Sequence, residues 1–228
     1  MKKILSIFFT ILMIVSLAAC GNTGNSLQSD GANGNSNSST ETNTQKNAQD
    51  PSGTPVSSGK TDTAAGKALV VYFSWSGNLD KMAHWVADES GGDLFRVTAK
   101  DPYPENYNQT ADRAKQEQDD DVRPEIVVDI TALQMAQYDT VFFGFPVWWY
   151  DLPMSMWTFL ESYDFSGKTI IPFFSHEGSS NGAGALPTVE KLAVGATVRS
   201  DDALSIRGGN VADSEEDVRA WVRGLDLE

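Results

Sequence analysis

The sequence predicts an α/β fold in which a sheet of parallel strands is covered by helices on both faces. Three observations lead there. Along residues 68–228, short strand-like runs alternate with helix-period stripes, the order that packs helices onto a parallel sheet. The runs Ala68–Phe73, Thr140–Phe145 and Lys168–Phe174 are rich in apolar, β-branched and aromatic residues, as strands buried on both faces are. Each of these runs empties into a loop of unusual chemistry, and ligands of open α/β sheets lie beyond the carboxyl ends of the strands.

The first run is followed at once by Ser74-Trp75-Ser76-Gly77-Asn78. Leu79, Met82, Ala83, Val86 and Ala87 come next, spaced as the apolar stripe of a helix lying on a sheet. The turn offers two hydroxyls and a glycine that lets backbone N–H groups approach a ligand. It also meets a helix N-terminus, whose unpaired N–H groups and partial positive charge favour an anion, a phosphate above all. The Walker ending Gly-Lys-Ser/Thr and the dinucleotide G-x-G-x-x-G are both missing from it. A phosphate here would be held by hydroxyls and backbone. The competing reading is a Ser/Asn turn that only caps the helix.

Asp93–Val97, after Gly91-Gly92, reads as a second strand. Tyr107–Gln118 reads as a solvated helix, with Pro124 ending the polar segment, and Ile126–Ile130 as a short extended piece of unassigned role. Thr140–Phe145 runs into a loop fixed by Pro146 and Pro153 that carries Trp148, Trp149 and Tyr150. Three large aromatics in a row cannot all point inward from one loop. At least one therefore faces solvent or a ligand, and a flat heterocycle would stack there. Met156, Phe159, Leu160 and Tyr163 mark the next helix; Lys168–Phe174 then leads into the glycine-rich loop Ser175–Gly182. Leu186–Val194 is helical, Ala203–Ile206 is a fifth short strand, and a last helix carries Val218, Trp221, Val222 and Leu225. Ser214 with Asp217 is expected to cap that helix and Gly224 to close it.

Gly178-Ser179-Ser180-Asn181-Gly182 matches the G-x-S-x-G of serine hydrolases, but that fold needs its histidine after the serine. His84 and His176 both precede it. His84 lies off the apolar stripe and is expected in solvent. His176, beside Glu177, is the one weak catalytic candidate, placed where it could titrate near neutrality or donate to a bound ring; a plain loop histidine is the competing reading. Two separated histidines and one cysteine give no credible metal cluster. A net charge of −14 disfavours nucleic acid and anionic lipid as partners and steers a basic protein patch toward the surface.

Lys2 and Lys3 precede an apolar run, Ile4–Ala19, that ends in Leu17-Ala18-Ala19-Cys20. This is the pattern of a secretory leader, too short for a comfortable membrane span. The L-A-A-C segment resembles the bacterial lipobox, which implies cleavage before Cys20 and a lipid on its sulfur; an uncleaved anchor is the alternative. Residues 1–19 are thus expected to be a signal peptide and 20–67, dominated by Gly, Ser, Asn, Thr and Gln, a disordered tether. The expected product is an extracytoplasmic domain, 68–228, that meets a bacterial membrane only through its lipid anchor.

S-W-S-G-N at 74–78 resembles the flavodoxin phosphate loop, T/S-x-T/S-G-N-T, and G-F-P-V-W-W at 144–149 resembles the flavin-side loop of flavodoxin-like proteins. The resemblance implies a three-layer sandwich with five parallel strands in the order 2-1-3-4-5, and bound FMN. Ser74, Ser76, Gly77, Asn78 and the position of Leu79 would then hold the phosphate, with Trp75 nearby. Pro146, Val147, Trp148 and Trp149 would line one flavin face, and Ser175, His176, Glu177, Gly178 and Gly182 would belong to the second flavin loop. Two departures stand out. Leu79 replaces the last threonine of the phosphate loop, and the second loop lacks the tyrosine that many flavodoxins stack on the outer face. A ring left open in this way is compatible with three functions: an electron carrier docking a basic redox partner, an FMN-dependent NAD(P)H:quinone-type reductase with a small quinone-like acceptor, or a lipoprotein that binds flavin or another aromatic phosphate without redox work.

Overall fold

The computed structural model describes residues 67–178 and 184–227. The expected leader, Cys20 and all of the expected tether but Lys67 lie outside the described residues, as does Gly182. Strands β1 (Ala68–Phe73), β2 (Asp93–Ala99), β3 (Ile126–Val127), β4 (Thr140–Pro146), β5 (Thr169–His176), β6 (Thr197–Val198) and β7 (Leu204–Arg207) form one sheet. Helices α1 (Asn78–Ser90), α2 (Tyr107–Asp119), α3 (Ala132–Met135), α4 (Met154–Ser162), α5 (Ala185–Leu192) and α6 (Glu215–Gly224) cover it.

Period-two alternation along the buried strands builds two cores, one on each side. Leu69, Val71 and Phe73 of β1, with Val141, Phe143 and Phe145 of β4, meet Met156, Phe159 and Leu160 of α4 and Val189 of α5. Val70 and Tyr72 of β1, Phe142 of β4 and Phe173 of β5 meet Leu79, Met82 and Val86 of α1 and Val218 and Val222 of α6. Each fully buried phenylalanine in these layers contributes about 1.5–3 kcal/mol of transfer free energy. Gly144 is required where β4 passes between its neighbours: a Cβ there would stand 2.8 Å from Tyr72 Cβ and closer still to the Phe173 ring.

The strand order is β3-β2-β1-β4-β5-β6, with β7 also on β5. All pairings are parallel except β2 with β3. The five parallel positions follow 2-1-3-4-5, as the resemblance implies. Two refinements appear. The fifth position is shared by two short strands, β6 beside the start of β5 and β7 beside its end, separated by a 3₁₀ turn at Ser200–Asp202. The extended piece expected after Pro124 is the antiparallel edge strand β3.

The ends of α6 differ from expectation. Ser214 Oγ donates to Asn210 O at 2.7 Å instead of accepting from the first turn. Glu215, Glu216 and Asp217 meet the helix dipole in its place. Gly224 is the last helical residue and not a left-handed stop; the chain leaves in extended conformation at Leu225.

Candidate functional site at the carboxyl edge of the sheet

From the end of β1 the chain turns through Ser74–Gly77 into α1. Gly77 is the N-cap, with φ at 89°, a conformation that favours glycine on backbone grounds. Nothing lies within 4 Å of the place its Cβ would take, so the turn is open there. Ser74 is buried, and its Oγ accepts from Gly77 N at 3.2 Å, closing the turn. The N–H groups of Asn78, Leu79 and Asp80 open the helix, lack intrahelical partners and face the turn. Leu79 itself stands apart from the other motif residues: its side chain is 1 % exposed and packs in the core beneath α1, so the backbone N–H is all it presents to the turn.

Asp80 is the acidic residue of the first turn of α1. Arg96 of β2 pairs with it, Nη1 to Oδ1 at 3.1 Å, and donates from Nη2 to Ser74 O at 2.8 Å. Tyr72 lies below. Burial, and then a hydrogen bond with Asp80, push its hydroxyl pKa up to about 12, so it stays neutral at physiological pH.

The loop after β4 is tied to β5 by Val147 N donating to Ser175 O at 2.8 Å. Trp148 and Asp151 exchange backbone hydrogen bonds, both 2.9 Å. Between them Trp149 has φ 47° and Tyr150 φ 69°, the signs of a type I′ turn. Such a turn normally takes asparagine and glycine, and each bulky residue in it costs about 1–2 kcal/mol. The three aromatics divide as the sequence requires. Trp148 turns inward, edge-on to Tyr103 at 5.0 Å and Phe73 at 5.5 Å, whereas Trp149 and Tyr150 are 44 % and 60 % exposed. Trp149 Nε1 donates to Ala111 O at 2.9 Å. The carbonyl of Tyr150 leaves no room for a Cβ at Gly184. Asp151 anchors the far side, accepting from Leu152 N at 2.7 Å and Thr188 Oγ1 at 3.0 Å; burial raises its pKa above the usual carboxylate value.

Helix α2 supplies a wall that the sequence reading missed. Tyr107, Thr110, Ala111 and Ala114 line the cavity, so the helix expected in solvent is a structural part of the site. Their spacing of i, i+3, i+4 and i+7 is a helical stripe of small and aromatic residues, a signal present in the sequence but hidden by the polarity around it. A polar network fixes the helix: Tyr103 OH donates to Glu117 Oε2 at 2.6 Å, and Arg113 Nε to Glu117 Oε1 at 2.8 Å. Burial and that carboxylate raise the Tyr103 pKa. Trp75 Nε1 donates to Pro104 O at 2.9 Å, joining the first turn to the segment leading into α2.

The cavity so formed has a volume of about 360 Å³. Of the residues singled out from sequence, Trp75, Ser76, Asn78, Pro146, Val147, Trp148, Trp149, Ser175, His176, Glu177 and Gly178 line it together. Ser74 and Gly77 form the turn at its edge, without lining it. At the end of β5, His176 Nδ1 accepts from Gly178 N at 3.1 Å, which leaves Nε2 to carry the proton of the neutral ring. Glu177 and Asn78 crowd the place a Cβ would take at Gly208, so that glycine lets the first and third loops close on the end of β7.

A doubly wound α/β sheet with a helix-N-terminal turn and an aromatic loop at its carboxyl edge defines the class. A family model for flavodoxin matches residues 67–225, and the chain belongs to the flavodoxin family. Among solved structures it is similar to a protein from Bacteroides uniformis ATCC 8492 provisionally assigned as a flavoprotein, at 32 % identity over 70 % of this chain and 99 % of that one, with a TM-score of 0.59. A comparable protein from Bacteroides eggerthii DSM 20697 matches at 27 % identity over 69 % of this chain and 96 % of that one, TM-score 0.56. A flavoprotein from Lactobacillus acidophilus NCFM, crystallised in complex with FMN, matches at 24 % identity over 67 % of this chain and 99 % of that one, TM-score 0.52. A search of curated proteins finds no match.

Proposed function

We propose that the protein binds FMN at this edge and serves as an extracytoplasmic electron-transfer protein, held to a bacterial membrane by a lipid on Cys20. The observation that carries the reading is the convergence of a phosphate-type turn and an aromatic slot at the ends of adjacent strands β1, β4 and β5. The fit is physical as well as topological. The open Gly77 turn leaves space for an anion, and the cavity volume lies in the range of small-molecule sites. When bound, FMN supplies reversible transfer of one or two electrons.

In this reading the Ser76 hydroxyl and the first N–H groups of α1 hold the phosphate. Pro146, Val147, Trp148 and Trp149 exclude water from one side of the ring, and the backbone of Ser175–Gly178 meets its polar edge. The net charge of −14 opposes addition of electrons to the ring and draws a redox partner with a basic patch. The membrane half of the proposal is supported by Leu17-Ala18-Ala19-Cys20 and the apolar run before it.

A second reading, an FMN-dependent NAD(P)H:quinone-type reductase, is favoured by one observation. Tyr107, Trp149 and Tyr150, the exposed large aromatics among the described residues, all line this cavity and would form a platform for a flat acceptor. Potentiometric titration of the FMN-loaded full chain separates the two when paired with turnover assays. The carrier reading expects a potential below that of free FMN and no sustained NAD(P)H oxidation. A potential well above that of free FMN contradicts it, and steady NAD(P)H consumption with a quinone establishes the reductase.

A further inference from the structure

We infer that Arg96 is the positioning residue of the phosphate turn, clamping both of its ends and cancelling the carboxylate in the first turn of α1. The ligand half of this inference rests on the FMN reading; the clamp does not. Arg96 comes from β2, opposite Tyr72 in the register, and its guanidinium reaches over the turn with two separate groups. Nη2 binds the carbonyl of Ser74, where the turn begins, at 2.8 Å, and Nη1 binds Asp80, in the helix that the turn enters, at 3.1 Å. One rigid, planar cation thus joins two points six residues apart and fixes the backbone between them.

The electrostatic need follows from two neighbouring residues, Leu79 and Asp80. Leu79 gives the turn no hydroxyl, so more of the hold on an anion falls on backbone N–H groups, whose direction depends on the shape of the turn. Asp80 meanwhile places a negative charge among those same groups. An acidic first turn suits an empty helix N-terminus, but it repels a phosphate dianion. Arg96 resolves the conflict without contacting the ligand. As an ion pair between half-exposed side chains it adds little to global stability, which makes it separable from folding.

The test uses the purified full chain and two measurements. In FMN and riboflavin titrations, Arg96→Met weakens FMN binding roughly tenfold and changes riboflavin binding by less than about twofold, because the repulsion acts on the phosphate. Adding Asp80→Asn to Arg96→Met recovers part of the loss, and Arg96→Lys falls between, since it keeps the charge but not the two-point clamp. Amide hydrogen exchange without ligand reads the clamp directly: Arg96→Met speeds exchange at Gly77 and Lys81, whose N–H groups donate to Ser74 Oγ and Gly77 O and close the turn, while the helix interior stays protected. Equal loss of FMN and riboflavin, or no loss, overturns the electrostatic role, and unchanged exchange overturns the clamp. Failure of the wild-type chain to bind FMN overturns the functional reading, and hydrogen exchange still decides the clamp.

Discussion

Position 79 shows how one residue belongs to two arguments at once. By motif alignment it is the last member of a phosphate loop, where a threonine would add a hydroxyl. By periodicity it is the first apolar residue of the α1 stripe, and the fold honours that assignment, leaving the side chain 1 % exposed among Met82, Val86 and the α6 valines. The expected result of Leu79→Thr is therefore loss of about 2–4 kcal/mol of stability, from removed apolar volume and a hydroxyl placed in an apolar site, with no gain in FMN affinity. Urea unfolding and an FMN titration of the same preparation check this. A variant that keeps its midpoint and binds FMN more tightly would show that the side chain faces the phosphate.

Among the elements, the turn after β4 carries the clearest conflict between local preference and placement. Trp149 and Tyr150 sit at left-handed φ values suited to asparagine and glycine, and both lie at the cavity rim. Strain of this kind persists where surrounding contacts over-determine it; here these are the Trp149–Ala111 hydrogen bond and the fit of Tyr150 over Gly184. Tyr150→Asn relieves the φ cost at a largely exposed position and is expected to raise stability by about 0.5–1 kcal/mol while weakening the hold on a flat ligand. Thermal unfolding with and without FMN reads both effects. Helix α2 teaches a complementary point. Its polar composition reads as a solvated helix, yet the ion pairs and hydrogen bonds that Arg113 and Glu117 make are what fix a stripe of small residues over the cavity.

For the molecule as a whole, long-period patterns were legible and short or non-local features were not. The buried runs announced β1, β4 and β5, and the loops leaving them announced where chemistry would gather, because strand polarity fixes which end of a parallel sheet is open. Helix α3 and strand β6, four and two residues long, are too short to show a period. The division of the fifth sheet position between β6 and β7 depends on pairing with β5, which no local pattern encodes. Arg96 escaped notice for the same reason: its partners lie at Ser74 and Asp80, across a strand pairing. The central claim, that one edge unites a phosphate turn with an aromatic ring slot, is tested most directly by titrating the purified full chain with FMN and riboflavin, following flavin absorbance and fluorescence. The account predicts saturable, quenched binding of FMN at one site per chain, with riboflavin much weaker. Equal binding of the two would contradict the phosphate turn, and no binding of either would contradict the site.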